Sequence, residues 1–493
     1  MVVCAIHADL GLRFAPGYGP FVAVAFSQPR FVMETTMSET FDAIIIGAGQ
    51  AGPPLAGRLT EAGWKVCVIE RKYFGGTCVN TGCKPTKAMV ASAYAAQLAR
   101  RAADYGVGTG AVTIDMPKVI ARSHQVTLDS RKGVEDWLKG MTGCTIIEGH
   151  ARFTGPKTVT VGDRVVTADK IFLNVGARAV IPDLPGIKDV PVLTNADMVA
   201  MGEVPDHLVV LGGSYIGLEF AQMFRRFGAR VTVIERGEKL IGREDAEVSD
   251  AIRKILEDEG IIIHTGADVI EVGRSGGDVS VCIHVGGQEV HVIGSHLLAA
   301  TGRRPNTDDL GLDVAGVPLD ARGYIEVGDD LQTSVPGIFA MGDCNGKGAF
   351  THTAYNDFEI IAANLLDGAS RKVSERILGY ALYIDPPLGR VGMTRAQAEK
   401  TGRPLMVGHR PMTRVGRAVE KGETKGFMSV VADAETHKIL GAAILGTSGD
   451  EAIHGILDIM NAGAPVSTLQ WAVPIHPTVS ELLPTLLNEM KKA

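Results

Sequence analysis

Cysteine is scarce, with seven in 493 residues. A secreted scaffold held by disulfides needs a much higher density, so that class is excluded. Long apolar runs are missing too: no stretch approaches the roughly 18 residues a membrane-crossing helix requires. There is no strongly basic segment, and the formal net charge is −7. That balance leaves no electrostatic footprint for nucleic acid. What is plentiful is glycine, 60 residues in a chain that is 45% hydrophobic. The chain reads as globular and turn-rich, with room for about three domains. We expect a cytoplasmic protein, without membrane or nucleic-acid partners, in which one cysteine pair is catalytic.

The segment "MVVCAIHADLGLRFAPGYGPFVAVAFSQPRFVMETTM" lacks both a charged start and a long apolar core. Its Pro and Gly break every periodic pattern. Residues 1–37 are expected to be a disordered extension, with the working chain beginning near Met37.

"FDAIIIGAGQAGPPLAGRLTEAGWKVCVIER" runs from an apolar strand through a Gly-rich loop into a helix and a second strand. Gly47, Gly49 and Gly52 fill a dinucleotide-binding G-x-G-x-x-G, and Glu70 follows 23 residues after Gly47 (70 − 47). The first Gly makes the turn, the second admits a pyrophosphate and the third packs helix on strand. The helix N-terminus favours the anion. Pro53 and Pro54 are tolerated because first-turn residues need no intrahelical N–H partner. "HLVVLGGSYIGLEFAQMFRRFGARVTVIER" repeats the pattern with Gly212, Gly217 and Glu235, again at 23 residues (235 − 212), with Ser214 at the second glycine position. Two dinucleotide sites in one chain point to an electron relay between two cofactors, since side chains carry hydride poorly.

"YFGGTCVNTGCKPTKAMV" holds Cys78 and Cys83, with Lys87 one helical turn on. Taken alone, the stretch fits zinc ligands, two structural thiols or a redox pair. Cys144, Cys282 and Cys344 are scattered singly, so the linear spacing offers no second pair for a four-ligand zinc site, and we expect no metal site. Cys67, in "WKVCVIE", and Cys344 read as core.

Several ordered motifs make the chain from about Phe41 onward resemble the flavin-dependent pyridine nucleotide-disulfide oxidoreductases. This family includes dihydrolipoamide dehydrogenase, glutathione reductase and mercuric reductase. "GGTCVNTGCKPTK" resembles the family's redox-disulfide helix, "TSVPGIFAMGD" its second flavin motif and "IHPTVSE" its C-terminal His–Glu pair. "ATGRRPNT" and "VGARAVIPDLPG" resemble its domain junctions. The resemblance implies FAD on the first fingerprint (Gly47, Gly49, Gly52, Glu70), with Gly76, Thr77, Gly302 and Asp343 also against it. It implies NADH or NADPH on Gly212, Gly217, Glu235 and Arg236. By the same resemblance Cys83 faces the flavin and Cys78 exchanges with substrate. Lys87 pairs with Glu219, and His476 with Glu481 serves the partner subunit of a homodimer.

On a regular helix, five residues leave two side chains about 140° apart. A Cys78–Cys83 bridge therefore needs a distorted first turn, which Gly82 and Pro85 are expected to supply. Lys84 adds a charge where the family usually has an apolar residue, and is expected to lower the thiolate pKa further.

The expected fold is α/β: two Rossmann-like dinucleotide-binding domains and a C-terminal α+β dimerisation domain. The FAD domain spans 38–186 and 302–375, the NAD(P) domain 187–301 and the dimerisation domain 376–493. An acid at Glu235 favours NADH, whereas Arg225, Arg226, Arg236 and Arg243 nearby are the NADPH-type feature. The implied substrate is a small disulfide or a thiophilic metal ion, as in dihydrolipoyl dehydrogenase or mercuric reductase. No cysteine follows Cys344 to match the C-terminal pair of mercuric reductases proper. Two other readings are an NADH oxidase or peroxide-reducing flavoenzyme, and a flavin-bound redox-sensing subunit.

Overall fold

A computed structural model describes residues 38–493, so the expectation for residues 1–37 lies outside the described residues. The strands Glu39–Ile46, Val66–Glu70 and Cys144–Glu148 lie side by side in parallel, and Arg164–Leu173 flanks Glu39–Ile46 on its other side. Their sequences are near-continuous apolar runs, as strands covered on both faces require. Ile44, Ile45 and Val68 are fully buried. Thr158–Val161 and Ala151–Gly155 extend this sheet antiparallel. Ile338–Ala340, far along the chain, joins Arg164–Leu173 in parallel. The chain thus leaves this sheet and returns to it.

Between departure and return it builds a second, five-stranded parallel sheet. The order is Ile262–His264, Arg230–Ile234, His207–Leu211, His296–Ala299 and Val192–Leu193. An antiparallel three-stranded ribbon, Asp268–Ser275, Asp278–Val285 and Gln288–Gly294, packs one apolar face against it. A six-stranded antiparallel sheet begins at Gly379–Leu382 and closes with Lys491–Lys492.

The helix Cys83–Arg100 packs across the helix Tyr215–Phe227, and Met89 and Ala93 share a buried cluster with Leu218, Phe220 and Leu382. Strands of the five-stranded and six-stranded sheets, through Leu208 and Leu382 among others, therefore meet the cysteine-bearing helix at one place. Among the described residues no helix is long and apolar enough to cross a membrane.

Candidate active site

The Gly-rich loops come first because they set every later position. Gly47 has φ +104°, and a Cβ there would lie 2.3 Å from Asn174 O. Gly212 has φ +110°, and its Cβ would lie 2.4 Å from Ala300 O. Each tight turn thus tolerates only glycine. Gly52 and Gly217 sit where a Cβ would reach 2.5 Å and 2.1 Å from the carbonyl of the first glycine. The Glu70 carboxylate accepts from Ala48 N at 2.9 Å and Lys72 N at 2.8 Å. Glu235 accepts from Gly213 N and Gly237 N, both at 2.6 Å. Pro53 and Pro54 fall in the first turn of the helix Gly52–Glu61, where they break no hydrogen bond.

A group with the shape and charge of FAD fits the first half. Gly302 (φ +137°) leaves open space where a Cβ would stand. Asp343 pairs with Arg303 at 3.1 Å, and burial pushes its carboxyl above the usual range, with Arg303 opposing. Arg303 Nε is buried without a partner. Asn174 Nδ2 closes on Gly47 O at 3.0 Å. Asp357, which the sequence did not flag, is buried; it accepts from Gly342 N at 2.8 Å and pairs with Arg376.

The cysteines do not share one distorted helix. Cys78 lies in the five-residue helix Gly76–Asn80, which ends at Thr81; a new helix starts with Cys83 as its first residue. The break is at Gly82, where a Cβ would stand 2.8 Å from Thr77 O and 3.2 Å from Cys78 Cα. Glycine lets the two helix ends approach, so the expected distortion is replaced by a clean break. Pro85 occupies the first turn of the second helix. Gly75 and Gly76 reach the first helix through positive φ, and Thr77 O accepts from Thr81 N at 2.9 Å.

Both thiols are free in this structure. Cys83 is held below the ordinary thiol range, first by the adjoining Cys78 thiol donating toward it, then by Thr351 and the Lys87 charge, against desolvation. A helix N-terminus acts in the same direction. Cys78 moves upward, by its interaction with Cys83 first and by burial second. The pair therefore loses its first proton at Cys83, and Cys78 keeps its own. Lys84 is exposed, and its charge acts to lower the Cys78 thiol.

Lys87 Nζ donates to Glu219 Oε2 at 2.7 Å and lies 4.6 Å from the centre of the Tyr383 ring. Glu219 Oε1 accepts from Tyr383 N at 3.0 Å. Thr351 Oγ1 sits 3.5 Å from Cys83 Sγ. His352, beside it, bonds Gly379 O at 2.7 Å, and burial lowers its pKa. Thr351 and Tyr383 were not found from the sequence, because neither carries a spacing signal. Cys67 and Cys344 are fully buried, and desolvation pushes both thiols up to about 12.

At the far end, His476 Nδ1 lies 2.8 Å from Glu481 Oε2. The histidine side chain is 79% exposed and the glutamate 14%. Its ring bonds only Glu481 among the described residues, so it does not join the cysteines within one chain. Arg225 bonds Glu259 O and Ala229 O, and Arg226 is buried against Glu259 and Asp385. Arg243 lies 5.2 Å over the Tyr215 ring. Of the four arginines, Arg236, just past the end of the nucleotide strand, and Arg243 are exposed, while Arg225 is half-buried and Arg226 buried.

Comparison with known proteins agrees with this geometry. A pyridine nucleotide-disulphide oxidoreductase profile matches residues 41–357, and the dimerisation domain of the same family matches 379–487. The chain is 34% identical over 459 residues to the probable pyridine nucleotide-disulfide oxidoreductase RclA of Escherichia coli K12, covering 92% of this chain and 99% of that one. The structure of RclA's Cu(II) complex superposes with a TM-score of 0.84 at 34% identity, covering 92% and 99%. A mercuric reductase of Bacillus cereus is 32% identical over 441 residues, covering 90% of this chain and 70% of that one. A dihydrolipoyl dehydrogenase of Chlorobaculum tepidum is 34% identical over 454 residues, covering 90% and 96%. With its two nucleotide loops, its cysteine pair and its C-terminal sheet, the chain belongs to the pyridine nucleotide-disulphide oxidoreductases, flavoenzymes that move electrons between NAD(P)H and a disulfide.

Proposed function

We propose that this protein is an NADH-dependent, cytoplasmic homodimer that reduces a small disulfide or a thiophilic metal ion through Cys78 and Cys83. The observation that carries the reading is the geometry of the pair: Cys83 opens a helix, with Lys87 bonded to Glu219 at 2.7 Å one turn on, and Cys78 stands across the break at Gly82. FAD, when bound, supplies the two-electron relay between nicotinamide and the pair. Cys78 must lose its proton before it can attack, and an imidazole backed by a carboxylate is suited to take it. We assign that base to His476 of the partner subunit. Trp471, Val473 and Ile475 lead into it at 77%, 96% and 80% exposure, an apolar surface of the kind a partner chain covers.

The Cys78 thiolate attacks one sulfur of the substrate disulfide, and His476 of the partner subunit returns the proton to the departing sulfur. The Cys83 thiolate then attacks the Cys78 sulfur and releases the second substrate sulfur as a thiolate, which takes a proton from solvent, leaving Cys78–Cys83 oxidised and the substrate reduced. Both Glu235 oxygens face backbone amides at the strand end, and Arg225 and Arg226 are engaged with Glu259. This supports NADH over NADPH.

A metal substrate stays in the reading because one relative is a mercuric reductase and another, RclA, was solved as a Cu(II) complex. The test offers lipoamide, glutathione disulfide, Hg(II) and Cu(II) to the holoenzyme with NADH. One of them should turn over, and Cys78→Ser should abolish it; turnover that survives Cys78→Ser overturns the proposal. Mixing Cys78→Ser with His476→Ala chains should restore activity in hybrid dimers, and no recovery in verified hybrids refutes the shared site.

A further inference from the structure

The cysteine at 282 has no cysteine neighbour in sequence, yet the fold surrounds it with metal-binding side chains. Asp278–Val285 and Gln288–Gly294 form a hairpin through Gly286 and Gly287, both at positive φ (58° and 79°). A two-residue turn of that kind fixes the register. Cys282 consequently stands directly opposite His291, and His284 opposite Glu289. On the other side, Asp268–Ser275 places Glu271 opposite Cys282.

Side chains alternate along a strand. Val279, Val281 and Ile283 face the apolar cluster under the ribbon. Cys282 therefore lies on the outer face with Glu271, Glu289 and His291. The Cys282 thiol, a Glu289 oxygen and a His291 ring nitrogen all lie within 4.8 Å of one another. His291 Nε2 is 3.3 Å from Glu289 Oε1. Cys282 is buried beneath these longer, exposed side chains.

From this geometry we propose a divalent-cation site on the outer face of the ribbon, with Cys282, Glu289 and His291 as protein ligands and water completing the coordination. One thiol, one imidazole and carboxylate oxygens form a zinc-type donor set. Soft sulfur and imidazole select against Mg(II) and Ca(II). In the absence of metal, burial and then the Glu289 carboxylate push the Cys282 thiol upward. Binding replaces the S–H proton with the metal: the thiol gives its proton to solvent, and the S–M bond forms without change of oxidation state. The site lies in the second-sheet region and shares no residue with Cys78 and Cys83, so its existence does not depend on the proposed substrate. A bound ion would pin the two strands of the hairpin together.

Co(II) titration of the full-length holoprotein carrying Cys78→Ser and Cys83→Ser tests this, because the active-site thiols are then absent. We expect about one Co(II) per chain with a thiolate-to-cobalt absorption band and the visible bands of a four-coordinate ion. Adding Cys282→Ser should remove the thiolate band. His291→Ala should weaken binding by at least roughly tenfold while flavin content is unchanged. Zn(II) should displace the cobalt and raise the thermal midpoint. No thiolate band in the starting protein, or a band that survives Cys282→Ser, overturns the site.

Discussion

In the first Gly-rich loop, Gly47 N bonds Ile69 O at 2.8 Å and Ala48 O receives Gly75 N at 2.8 Å; in the second, Gly212 N bonds Ile234 O at 2.8 Å and Gly213 O receives Ile241 N at 2.9 Å. With the two glutamates added, the wiring matches bond for bond. What lands on each loop differs. On the first, Gly75 and Gly76 descend so closely that a Cβ on Gly76 would stand 2.9 Å from Gly49 Cα, and the chain runs on into the cysteine helices. On the second, Leu240 and Ile241 descend, and the chain runs on to Glu244, which Arg390 of the C-terminal sheet holds at 3.0 Å. Glycine is therefore required at position 76, whereas a Cβ on Gly49 itself would come no closer than 3.4 Å, to Asn174 Nδ2. One motif thus serves as the base for the redox pair in one copy and as the anchor for the C-terminal domain in the other.

The third glycines separate the copies most sharply. Gly52→Ala and Gly217→Ala each push a methyl into a carbonyl at under 3 Å. Gly52→Ala should purify without flavin. Gly217→Ala should keep its flavin and raise KM for NADH. Flavin absorbance per chain and steady-state kinetics read both, and loss of flavin from both variants would break the distinction.

The anchor comes next. Arg390 and Glu244 are 2% and 0% exposed, and removing one partner of such a pair costs about 3–5 kcal/mol. Arg390→Met should lower stability by that amount in denaturant unfolding. A change under about 1 kcal/mol, the worth of a surface pair, would mean that the second loop anchors nothing.

A smaller effect is expected at Glu235, which on the proposed NADH reading would face the ribose 2′-hydroxyl. Glu235→Ala should move the NADPH-to-NADH ratio of kcat/KM upward by roughly tenfold, about 1.4 kcal/mol. The smallest effect is expected at Lys84. Its charge bears on Cys78, so Lys84→Val should leave the Cys83 titration in place, well below the ~8.5 of a free thiol. Lys87→Met should raise it, because Lys87 is one of the charges holding Cys83 down. Thiolate absorbance against pH reads both.

Much of this was legible in sequence because it is local. Gly47, Gly52 and Glu70 lie within one strand–loop–helix–strand unit, and the same unit recurs at Gly212, Gly217 and Glu235. Resemblance supplied the Lys87–Glu219 and His476–Glu481 pairs, which the fold sets at hydrogen-bond distance. The break at Gly82 was misread because helix geometry assumes continuity, and only the packing of Thr77 against Gly82 reveals the end of one helix. Thr351 and Tyr383 arrive from distant segments with no periodic signal. The arginines looked equivalent on paper; the fold commits Arg225 and Arg226 to Glu259. The Cys282 cluster depends on strand register, which linear cysteine spacing hides.

The most direct test of the unequal cysteine pair is an anaerobic NADH titration of wild type and Cys78→Ser, followed by absorbance. The account predicts a long-wavelength thiolate–flavin band after two electrons in wild type, and the same band before any reductant in Cys78→Ser, since Cys83 then stands as a free thiolate. Direct bleaching of the flavin with no such band in either protein would contradict it.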